Sequence, residues 1–125
     1  MIWLKRVGLI LLIICLGTII DYFVHQMSPY FSVPPSYFPH KIFYGTLWAL
    51  VGYIVFRKKI KTSFWFAFTI ALVPAVLLQT IYFIQGHQLK WVVFFFLIGH
   101  FLMFLLPGYY ICKKYKYIFL PSVNS

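Results

Sequence analysis

The sequence predicts an all-α, polytopic membrane protein: a four-transmembrane-helix bundle with N and C termini cytoplasmic. Three observations predict it. The first is composition. Of 125 residues, 63% are hydrophobic and 23% aromatic, and the mean hydropathy is +0.91. A small soluble domain leaves much of its surface in water and could not hide so much apolar side chain; lipid accepts it. The second is a set of four apolar runs, at 7–24, 42–56, 64–84 and 91–112. The third is the placement of charge between them.

Each run approaches the roughly 20 residues a helix needs to cross about 30 Å of hydrocarbon. The expected helices are 4–25, 40–57, 63–84 and 90–112, within a single transmembrane domain spanning 1–125. The first run follows Lys5 and Arg6, as the core of a signal peptide would. No A-x-A-like site follows it, and Ile13 and Ile14, not a small residue, precede Cys15. Both cleavage signals are therefore missing, and the run reads as a retained helix. The second run is the shortest. Pro39 suits a first-turn position and brings its start back to His40. Gly45, Ala49 and Gly52 lie along one side of this helix at a spacing that lets another helix pack closely, within the chain or in a dimer. Pro74 in the third run and Pro107-Gly108 in the fourth are expected to bend their helices.

The separator 26–39 is an outer, proline- and aromatic-rich loop. Pro29, Pro34, Pro35 and Pro39 alternate with Tyr30, Phe31, Tyr37 and Phe38. That proline density excludes a continuous helix, and the aromatics place the loop at the lipid–water interface. The remaining separators are a basic turn at 57–62 and a polar turn at 85–90.

Orientation follows from the cations. Lys5, Arg6, Arg57, Lys58, Lys59, Lys61, Lys113, Lys114 and Lys116 fall on one side of the four-helix arrangement; Lys41 and Lys90 fall on the other. Basic residues accumulate on the cytoplasmic side of membrane proteins, so the ends and the middle turn are assigned there. The expected location is the cytoplasmic (plasma) membrane of a prokaryote. The net charge of +10 reflects this clustering between apolar runs, so no nucleic acid is expected as a partner. Cys15 and Cys112 form no C-x-x-C pair, and no disulfide framework is expected.

The polar residues inside the runs carry the functional reading. Asp21 is the only acid in the chain. It shares a helix face with Thr18, Tyr22 and His25. His40 begins the second helix on the same side of the membrane, and His87 lies in the outer turn. His100 falls about 15 Å into the fourth helix, near the midplane, where a histidine needs a partner or a ligand. Tyr44, Tyr53 and Gln79 are the expected partners for a structural His100. Carboxylate and imidazole together suit a divalent transition metal such as zinc, with Asp21, His25, His40 and His100 as candidate ligands. Asp21 and His25 are the candidate catalytic pair. The plain alternative is an interfacial acid paired with His25 or with Lys41. Haem lacks a second histidine at the depth of His100. There is no phosphate-binding glycine loop, no G-x-S-x-G and no second carboxylate for a paired-acid mechanism.

Three functions remain open at this level. One is a metal-dependent membrane enzyme, or a metal-binding protein, with an outward-facing Asp/His pocket for a lipid-like substrate. The second is a non-enzymatic accessory or assembly subunit of a larger membrane complex. The third is a small-cation or lipid transporter acting through self-association. The bilayer is the expected environment in all three.

Overall fold

Five helices account for nearly all of the computed structural model, which describes residues 2–26, 36–84 and 90–120. They are α1 (Ile2–Gln26), α2 (Tyr37–Phe56), α3 (Ser63–Ile84), α4 (Lys90–Lys114) and a single turn, α5 (Lys116–Phe119). No strand occurs among the described residues. The class is all-α, and the four long helices coincide with the four apolar runs.

Local chemistry explains the boundaries. α2 begins one turn earlier than expected, so Pro39 falls inside the first turn. Proline is tolerated there because a first-turn N–H has no intrahelical acceptor to lose. The His40 N–H donates to the Ser36 carbonyl at 3.3 Å and closes that turn. At the head of α3, Thr62 acts as a cap: its Oγ1 accepts from the Trp65 N–H at 3.2 Å. α3 and α4 run through Pro74 and Pro107 without ending. Of the outer loop, 27–35 lies outside the described residues, as does the 85–89 turn with His87.

α1 packs on α2, α2 on α3, α3 on α4, and α4 on α1. Between them lies a core that includes Ile10, Ile13, Ile14, Ala49, Tyr53, Phe66, Ile70, Phe104 and Ile111. The small-residue side of α2 serves this internal packing. A Cβ added at Gly45 would lie 3.1 Å from Ile14 Cγ2 of α1, and one at Gly52 would lie 2.9 Å from Val73 Cγ2 of α3. Glycine is needed at 52 and little more than glycine fits at 45, because a larger side chain would push the helices apart; Ala49 between them is fully buried.

α5 was not expected from the sequence. It turns back beneath the helices and buries Ile118 and Phe119. The Phe119 ring sits 4.3 Å from that of Phe66 and 5.8 Å from that of Tyr53. Two side chains hold its backbone: Tyr53 OH donates to the Phe119 carbonyl at 2.9 Å, and Arg6 Nε donates to the Ile118 carbonyl at 2.8 Å.

Buried ionisable groups and large exposed apolar side chains occur together among the described residues. Asp21, Lys41 and His100 are buried, while Leu4, Phe23, Phe43, Val55, Phe95 and Leu106 are each more than three-fifths exposed. By length and composition, one helix among the described residues is apolar enough to cross a membrane, at Ile2–Val24; Ser63–Leu78 is a shorter apolar helix.

Candidate functional site

Three buried helix faces converge on one polar cluster. On α1, Ile10, Ile14, Gly17 and Asp21 recur at helical spacing and are all buried. On α2 the corresponding row is Lys41, Gly45, Ala49 and Gly52, and on α4 it is His100, Phe104, Gly108 and Ile111. Spacings of three and four residues put each row on one side of its helix. The polar member ends each row at the same end of the fold, so Asp21, Lys41 and His100 meet.

Asp21 stands at the centre. Lys41 Nζ donates to its Oδ2 at 2.6 Å, and His100 Nε2 lies 3.3 Å from its Oδ1. Relative exposure is 1% for Asp21 and 3% for both Lys41 and His100. The Lys41 ammonium also lies 3.5 Å from the Tyr37 hydroxyl, 5.5 Å from the Tyr37 ring and 5.7 Å from the Phe104 ring. Aromatic faces attract a cation, and they do so more strongly where water is excluded. Each charge in the cluster thus has a counter-charge or a ring quadrupole, as buried charges require.

The site residues named from the sequence separate into two groups. Asp21 and His100 are brought together, although depth counted along each helix put one near the outer end and the other near the midplane. The count assumed that helix ends are level. α4 starts ten residues before His100, whereas α1 ends five residues after Asp21, so α4 projects beyond α1. Neither Tyr44 nor Tyr53 holds His100. Tyr44 packs beside His40 on the surface, and Tyr53 binds the α5 carbonyl at the opposite end. The Gln79 side chain lies outside the described residues.

His40 is exposed, one residue from buried Lys41, and does not join Asp21. The side chain of His25 lies outside the described residues. Thr18 is buried, but its hydroxyl donates to the Ile14 carbonyl of its own helix at 2.7 Å. Tyr22 lies at the surface against Phe38. Among the described residues, no group of three or more His, Cys, Asp or Glu side chains is placed to hold a metal ion. Lys41, expected only as an alternative partner for Asp21, is that partner and was not foreseen as a site residue. Its signal was present: the only acid in the chain, inside an apolar helix, needs a cation, and Lys41 is the cation nearest the same end.

Chemically, the arrangement is one carboxylate between two bases. The Asp21 contact favours a proton on His100 Nε2, which makes Nδ1 the basic nitrogen of the neutral ring. A carboxylate that fixes an imidazole tautomer and stabilises the imidazolium is a recurring way to build a general base. Compared with protein-family models, curated proteins and solved structures, the chain matches none.

Proposed function

We propose that this chain is an integral membrane protein with four spans and cytoplasmic termini, and that Asp21, Lys41 and His100 form an acid–base site acting on a lipid-like substrate in the outer half of the membrane. The membrane reading is supported by the large apolar side chains exposed along the helices and by the burial of Asp21, Lys41 and His100, while the exposed lysines and Arg57 cluster near helix ends. Retention of α1 is supported by its contribution to the core and by its supplying Asp21.

The observation that carries the acid–base reading is the Asp21 carboxylate held between Lys41 and His100. In this role Asp21 orients His100 through Nε2. His100 Nδ1 accepts a proton from a hydroxyl or a water, and Asp21 stabilises the resulting imidazolium. Lys41 keeps Asp21 ionised by balancing its charge. The same ammonium occupies the place at Oδ2 that a divalent cation would take, so acid–base chemistry suits this cluster better than zinc ligation. The accessory-subunit reading loses one support, because the Gly45–Ala49–Gly52 side of α2 is used inside the fold.

The test is lipid analysis by mass spectrometry on proteoliposomes made from a polar lipid extract. Wild-type protein should generate a new lipid mass. His100→Gln and Asp21→Asn should not, with helical circular dichroism retained. A lipid profile that wild-type protein leaves unchanged would overturn the enzymatic reading and leave the cluster as a structural clasp.

A further inference from the structure

The end of the fold opposite the Asp21 cluster holds a pair of cations with no carboxylate partner among the described residues. Arg6 Cζ lies 4.5 Å and Arg57 Cζ 5.3 Å from the centroid of the same Trp3 ring. Arg6 also faces the Tyr53 ring at 5.7 Å, and its Nε is committed to the Ile118 carbonyl. Arg57 is exposed and Arg6 half-buried. Both guanidinium groups lie beside one ring, and the exposed lysines of the 57–61 turn and the α4 end add positive charge at the same end. Among the described residues no carboxylate faces these cations: the single acidic side chain, Asp21, is held by Lys41 and His100 at the other end.

We infer that Arg6, Trp3 and Arg57 form a site for the phosphate of an anionic phospholipid headgroup. A guanidinium presents a planar fork of donors that matches phosphate oxygens, and two such forks can address one phosphate group. Trp3 is two-fifths exposed beside them, and indole rings favour the headgroup level of a bilayer. The acyl chains of the lipid would lie along the exposed apolar side of α1, where Leu4 and Leu11 are found. The inference rests on the membrane reading but not on the acid–base one.

The test is the thermal unfolding midpoint of detergent-solubilised protein titrated with phosphatidylglycerol, phosphatidylcholine or inorganic phosphate. Phosphatidylglycerol should raise the midpoint of wild type, and the other two should not. Arg57→Gln should weaken the apparent affinity about tenfold, the cost of a charge-assisted hydrogen bond. Lys58→Gln removes the same charge from the neighbouring exposed position and should leave the affinity nearly unchanged. Equal losses in the two variants, no preference for phosphatidylglycerol over phosphatidylcholine, or an equal response to inorganic phosphate would each overturn the site. A chain that stays monodisperse after detergent removal would overturn the membrane reading itself, and with it a lipid as the occupant.

Discussion

Replacing Asp21 with Asn isolates the energetics of the buried cluster. The substitution keeps the size of the side chain and removes the charge, so Lys41 is left at 3% exposure with its ammonium uncompensated. Removing one partner of a buried ion pair costs about 3–5 kcal/mol, because the surviving charge has paid its desolvation without its return. Lys41→Met should cost less. His100 lies 3.3 Å from the other carboxylate oxygen and can take up a proton to replace the lost cation. The double variant Asp21→Asn/Lys41→Met removes both charges and should be more stable than Asp21→Asn alone, giving a coupling of roughly 1–3 kcal/mol. The assay is reversible unfolding in mixed micelles, followed by circular dichroism, for wild type, both singles and the double. An Asp21→Asn variant within about 0.5 kcal/mol of wild type would refute the reasoning. So would a double variant whose cost equals the sum of the singles.

Three further outcomes are expected. A Cβ at Gly17 would lie 2.6 Å from Phe104 Cε1 and 3.0 Å from the Met103 carbonyl oxygen, whereas one at Gly8 meets nothing within 4 Å. Gly17→Ala should therefore destabilise by about 1–3 kcal/mol in the same unfolding assay, and Gly8→Ala should be neutral or slightly stabilising. Tyr53→Phe deletes the hydrogen bond to the Phe119 carbonyl, worth about 1 kcal/mol. It should speed tryptic cleavage after Lys116 relative to wild type; an unchanged rate would mean that Arg6 and the Phe119 ring alone hold α5. Finally, in a background lacking Cys15 and Cys112, an impermeant thiol reagent added to intact cells should label a cysteine at Ser32 and spare one at Thr62. The reverse pattern would invert the proposed topology.

Much of the architecture follows from local pattern alone. Apolar runs of near-constant length specified four long helices in order, and α3 ends where its run does. Proline at 39 and threonine at 62 mark helix starts for reasons confined to a single turn. Asp21 stood out because a lone acid among apolar residues is costly wherever the helix lies. The salient residues were therefore legible, and their assembly was not. His40 and Lys41 are adjacent in sequence, and the sequence offers both to the site equally. Only the rotation of α2 against α1 turns Lys41 inward and leaves His40 outside.

Helical periodicity determines which residues share a face of one helix. It says nothing about how far that helix is rotated or slid against its neighbours. Those two variables are set by side-chain shape at the contacts, here Gly45 against Ile14, Gly17 against Phe104 and Gly52 against Val73. The slide of α4 past α1 carries His100 to the level of Asp21, and the return of α5 beneath the core depends on acceptors that Tyr53 and Arg6 reach across more than sixty residues of chain. The sequence by itself determined the helices, their apolar character and the presence of one acid in need of a cation. The tertiary structure decided which cation and which histidine answer it, because that choice belongs to interhelical packing and has no period along the chain.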